Sequence, residues 1–142
     1  MMNQRQWLLK WLLIISGFFL MTAFLAALLP VSWMAESHRW LGLGDFPNFP
    51  ITAYLARSTS LLYGVHGTMM LFTGYTLQHH WRLVPLFAWL HISLGIMMFF
   101  VDVTAPMPLY WIVMEGPPVA GLGCLMLWLA KTAGPFDSIE DQ

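Results

Sequence analysis

Residues 11–30 contain no charged side chain. As a helix this stretch would be about 30 Å long, the thickness of a bilayer's hydrocarbon core. Three more runs approach the same length, at roughly 52–77, 83–103 and 109–130, each with few polar interruptions. Only 9% of the chain is charged, where a soluble domain has roughly 25%. Six Lys+Arg and seven Asp+Glu cannot coat a water-soluble globule of 142 residues. That balance excludes a cytosolic enzyme domain and a disordered chain. The net charge of -1 offers no phosphate-neutralising patch, so no nucleic-acid partner is expected. A lone cysteine, Cys124, excludes an internal disulfide framework and a cysteine-based zinc site.

The pattern predicts an all-α fold: an integral membrane four-helix transmembrane bundle, one domain over residues 1–131, with spans at about 11–30, 52–77, 83–103 and 109–130. Residues 132–142 are acidic and poor in apolar side chains, and are expected to form a disordered tail. Arg5 and Lys10 precede the first run and small residues follow it, the flanks of a secretory signal. The run is longer than the roughly 7–15 residues of a cleaved core, so it reads as a retained helix.

Tryptophans favour the two membrane–water interfaces. Trp7, Trp11, Trp81 and Trp128 fall at one set of segment ends and Trp33, Trp40 and Trp111 at the other, as alternating crossings require; Trp89 lies inside a span. Arg5, Lys10, Arg82 and Lys131 lie on the side shared by both termini, and Arg39 and Arg57 toward the other. That bias places both termini in the cytoplasm and the chain in the cell inner membrane as a multi-pass protein. The lipid bilayer is then the first partner, with other membrane proteins or a homo-oligomer as further ones. Between the first two helices, residues 31–51 include Trp33, Met34, Trp40, Leu41 and Phe46. They are expected to form a short interfacial segment whose helix stops at Gly44.

Three charges fall within spans: Arg57, Asp102 and Glu115. Such charges cost a few kcal/mol each and usually face protein or water rather than lipid. At about 1.5 Å per residue, Arg57 lies ~8 Å, Glu115 ~9 Å and Asp102 ~3 Å from the outer end of its helix. All three therefore occupy the outer third of the membrane. Three readings follow: an ion-pair cluster that locks helices together, a polar site that binds a ligand or a proton, or unrelated residues that snorkel to the surface.

Glu115 sits in the segment MEGPPVAGLG. Pro117 and Pro118 cannot donate to the carbonyls of Val113 and Met114, and Gly116 permits a break. Either the helix continues with two unpartnered carbonyls beside Glu115, or it restarts near Pro117 and the preceding residues enter as a separate turn. Gly116, Ala120 and Gly123 form a small-residue stripe suited to close helix contact.

His66 and His91 come at depths that differ by only about 5 Å on adjacent antiparallel spans. Such a pair could hold a b-type haem through both axial positions. On the third span His91, Gly95, Met98 and Asp102 share one face. On the second, Arg57 and His66 point ~180° apart, so haem and charge cluster compete for its inner face. With no second histidine pair and no haem-attachment motif, the leading expectation is no cofactor and no metal. The histidines then bond to Ser, Thr or Tyr on neighbouring helices.

The stretches HRWLGLG and YLARSTSLLYGVHG, the lone Asp102 and the segment MPLYWIVMEGPP resemble a group of uncharacterised small bacterial four-helix membrane proteins. Around Ala56, Arg57 and Gly64 the chain also resembles the DoxX-like membrane proteins, whose helices have a comparable Ala-Arg followed by small and apolar residues. Neither resemblance implies an activity or a catalytic residue.

The leading expectation is a non-enzymatic membrane-embedded binding or accessory subunit, with Arg57, Asp102 and Glu115 forming a polar site near the outer face. Two alternatives stand beside it. One is haem-based electron transfer through His66 and His91. The other is a membrane enzyme acting on a lipid or quinone, with Glu115 as acid/base.

Overall fold

Asn3 opens the first helix. Its Oδ1 accepts from the Gln6 backbone N–H at 2.8 Å, and Gln6 Oε1 accepts from the Asn3 N–H at 2.9 Å. This reciprocal capping box starts α1 (Gln4–Met21) well before residue 11, where hydropathy alone put the span. At Thr22 the hydroxyl turns back to the Phe19 carbonyl (2.6 Å), and α2 (Ala23–Ala27) follows after this one-residue break. In the computed structural model residues 2–136 are described, all helix, turn or loop with no strand among them. Residues 137–142 of the expected tail lie outside that range, and residues 132–133 belong to the last helix.

The segment after Pro30 forms α3 (Val31–Trp40), none of whose residues is buried. It ends at Trp40, earlier than the expected stop at Gly44. The Leu43 N–H reaches the His38 carbonyl (3.1 Å) and the Gly42 N–H the Arg39 carbonyl (2.9 Å). This paired closure needs a left-handed residue after the C-cap, and Gly42 supplies it with a φ of 72°. The remaining elements are α4 (Pro50–Tyr75), α5 (Leu83–Thr104), α6 (Leu109–Met114) and α7 (Gly116–Ala133).

Three helical stretches are long and apolar enough to cross a membrane: Gln4–Ala27, Leu83–Thr104 and Leu109–Ala133. The second of the four expected spans, α4, is 26 residues long but falls outside this set. Its run Arg57-Ser58-Thr59-Ser60, with His66 and Thr68 beyond, dilutes its apolar character.

The chain divides into two compact units, Met1–Ile14 with Phe72–Gln142, and Ile15–Leu71. In the first, α5 buries Val84, Phe87, Ala88, His91, Gly95 and Asp102, one face at helical spacing. Against it α7 sets the small-residue stripe. A methyl on Gly95 would come within 2.5 Å of the Gly116 carbonyl oxygen, and one on Gly123 within 2.5 Å of the Ala88 carbonyl oxygen. The two backbones touch, as small residues allow in an apolar solvent that gives helices no hydrophobic reason to associate. In the second unit the later part of α1 lies antiparallel to α4 in the same manner. A methyl on Gly17 would stand 2.6 Å from the Leu71 nitrogen, and Gly64 faces the Phe24 ring.

The start of α1 also closes the end of α7. Asn3 Nδ2 donates to the Ala133 carbonyl (3.0 Å), Arg5 to that of Thr132 (3.2 Å), and Gln6 Nε2 to that of Gly134 (3.3 Å). One side-chain set thus satisfies donors at one helix start and acceptors at another helix end. Asn3→Ala should cost about 1 kcal/mol. It should also speed hydrogen exchange in the last turn of α7, whereas a purely local cap would leave that turn unchanged.

Candidate acidic site at a helix break

The connection from α5 to α7 is built by prolines. Pro108 precedes α6 as its N-cap, and α6 lasts only from Leu109 to Met114. Glu115 is the joint, with φ -98° and ψ -75°, and α7 restarts at Gly116 with Pro117 and Pro118 in its first turn. Of the two sequence-level alternatives for MEGPP, the interrupted helix is the one adopted. Proline at a helix start sacrifices no bond, because the first N–H groups have no partner inside the helix.

This break sets Glu115 beside α5. A methyl on Gly116 would stand 2.6 Å from the Gly95 carbonyl oxygen and 2.8 Å from the Phe99 nitrogen. Asp102 lies about one helical turn beyond Phe99 on α5. The Glu115 carboxylate accepts a hydrogen bond from the Trp111 indole N–H, four residues earlier. Sequence reading placed Trp111 at the interface and missed this role; the i, i+4 spacing was the available signal.

Asp102 is more deeply placed than its position near the end of a span suggests. It is only 7% exposed. The chain after α5 folds back at this point, with the Met107 N–H donating to the Asp102 backbone carbonyl at 3.0 Å. Its carboxylate Oδ2 is buried and has no hydrogen-bond partner among the described residues. Nearly all buried polar side-chain atoms find a partner, so an orphaned carboxylate oxygen requires an explanation.

The structure places the other residues singled out from the sequence as follows. Arg57 belongs to the second unit, where it is exposed and donates to the Leu29 carbonyl at 3.2 Å. Asp102 and Glu115 belong to the first, so these two acids form the site described here. His91 is buried in the seam of α5 and α7, and its Nδ1 lies 2.8 Å from the Phe87 carbonyl. His66 lies on α4 in the second unit, half-buried. No group of three or more His, Cys, Asp or Glu side chains able to hold a metal ion occurs among the described residues.

What fold and site define is a class: an all-helical chain with three helices able to cross a membrane and two acids, buried Asp102 and half-buried Glu115, at a helix break. No family model, no curated protein and no solved structure matches the chain.

Proposed function

We propose that the chain is an integral membrane protein of four crossings that serves as a non-enzymatic binding or accessory subunit. Its site, the Asp102–Glu115 pair, lies in the outer third of the membrane and takes up a proton or a small cation. The reading rests on one observation, the buried Asp102 oxygen with no partner among the described residues. A buried carboxylate without a counter-charge costs several kcal/mol, and a second acid beside it raises that cost. A proton or a cation is the neutralising group such a site calls for. Intramembrane acids of this kind commonly mark proton or ion paths.

The count of four is supported by direction. The start of α1 and the end of α7 are joined by hydrogen bonds. Ile14 on α1 packs against Gly74 on α4, and in the second unit these helices lie antiparallel. If α1 crosses outward, α4 is the element that returns. At about 1.5 Å per residue its 26 residues span roughly 39 Å, enough for the crossing despite their polar run. The end holding both termini is rich in Arg5, Lys10, Arg82 and Lys131, which favours the cytoplasm and an inner-membrane location.

Infrared difference spectroscopy on the full chain in lipid, paired with thermal unfolding in sodium, potassium, magnesium or calcium chloride, tests the site. We expect the carbonyl stretch of a protonated carboxylic acid at neutral pH, or stabilisation by one of these cations, and its loss in both Asp102→Asn and Glu115→Gln. A wild-type chain with neither signal, or variants that keep it, would overturn the reading.

A further inference from the structure

A second polar site lies at the opposite end of the first unit, around the start of α1 and the turn from α4 to α5. A cavity of about 240 Å³ opens there, lined by Lys10, Tyr75, Thr76, Gln78 and His79. It has room for several waters, or for a phosphate group with its ester carbons. Four of these side chains, Lys10, Tyr75, Gln78 and His79, make no hydrogen bond or ion pair among the described residues. All four can donate.

Among the described residues this end holds no competing negative charge. Residues 2–11, 72–84 and 128–136, which build this end, contain Arg5, Lys10, Arg82 and Lys131 and no Asp or Glu. A helix C-terminus ordinarily turns free carbonyls outward and would repel an anion. Two carbonyls at and just beyond the end of α4 are occupied. That of Phe72 accepts from the Thr76 N–H (3.0 Å) and hydroxyl (2.7 Å), and that of Thr76 from the N–H groups of His79 and His80.

Lys10 itself is half-buried, between Leu9 and Leu13, which are fully buried on the same helix, and its neighbours Trp7 and Trp11 are exposed. Exposed tryptophans one turn apart place this part of α1 at the depth of lipid headgroups. A lysine whose stem lies on apolar surface extends its ammonium to that same level.

We infer that Lys10, Tyr75, Gln78 and His79 form a binding site for the phosphate of an anionic lipid headgroup on the face that holds the chain termini. The site is separate from the acidic pair, and it rests on the membrane reading of the chain, not on the proton or cation assigned to Asp102. The ligand is a phosphate ester held by one fixed cation and three neutral or titratable donors. A lipid is favoured over a soluble phosphate compound because the cavity opens where the tryptophans set the bilayer surface.

Native mass spectrometry of the full chain, released from mild detergent with equal phosphatidic acid and phosphatidylcholine of matched acyl chains, tests this. Wild type should retain phosphatidic acid, and Lys10→Gln should retain about tenfold less, the effect of one charged hydrogen bond. Lys10→Arg should restore retention. Arg82→Gln, at the same end but outside the cavity, should leave it unchanged. His79→Gln, in an exposed turn, provides an independent variant with a smaller expected loss should Lys10→Gln fail to fold. Equal retention by wild type and Lys10→Gln, or an equal loss in Arg82→Gln, would overturn the site. Excess inorganic phosphate should leave the lipid bound. Displacement by inorganic phosphate, with stabilisation by phosphate alone, would overturn the lipid in favour of a soluble phosphate ester and leave the membrane fold standing.

Discussion

Gly95→Ala is expected to cost about 2–3 kcal/mol of folding stability, the upper range for overpacking a close contact. The added methyl would stand 2.5 Å from the Gly116 carbonyl oxygen and 2.8 Å from Ala120 Cβ. The nearest atoms include backbone of α7, so no rotamer change relieves the clash; the two helices must separate. Separation would also move Gly116 and the adjoining Glu115 away from the α5 face on which Asp102 lies. Gly121→Ala supplies the control, since nothing lies within 4 Å of its added carbon. It should be neutral or gain up to about 1 kcal/mol from helix propensity. Thermal unfolding of both variants in the same detergent distinguishes a tight α5–α7 seam from a loose one. Equal midpoints for Gly95→Ala and wild type would show the seam yields.

Asp102→Val is expected to raise stability by about 1–3 kcal/mol at neutral pH while abolishing proton or cation uptake. The substitution removes a carboxylate whose Oδ2 is buried without a partner and replaces it with an apolar side chain of similar size. Most substitutions of buried residues destabilise, by about 1 kcal/mol on average. A buried residue whose loss stabilises is one kept for a purpose other than folding. The measurement is the same thermal unfolding, read beside the infrared signal. A drop of more than about 1 kcal/mol would mean that the carboxylate is a structural anchor, and the proposed site would fail with it.

Much of the architecture was readable because its signals are local. Uncharged runs of about 20 residues point to membrane helices whatever their neighbours do. The stripe Gly116-Ala120-Gly123 and the face His91-Gly95-Asp102 follow from helical periodicity, and the structure packs these two against each other. Helix ends were read less well. Hydropathy placed the first span at 11–30 because it does not register the capping box of Asn3 and Gln6, which starts α1 at Gln4. It placed the stop of α3 at Gly44 because two nearby glycines both permit a left-handed turn, and only the bond pattern around Gly42 separates them.

The candidate site divides along the same line. Asp102, Glu115 and the proline break were visible as charges and breakers in apolar runs, and span ends gave their approximate depths. Burial was not visible. Asp102 looked like a residue near the end of its helix, but its side chain is buried and one oxygen has no partner among the described residues. The N-terminal residues that close α7, and the lysine near α4 with no counter-ion among the described residues, were equally hidden; each depends on residues far apart in the chain. Sequence alone determined which residues are expensive to place in a membrane, because transfer cost belongs to the side chain. Only the tertiary structure decided which of them are satisfied, because a hydrogen bond or an ion pair belongs to two groups at once.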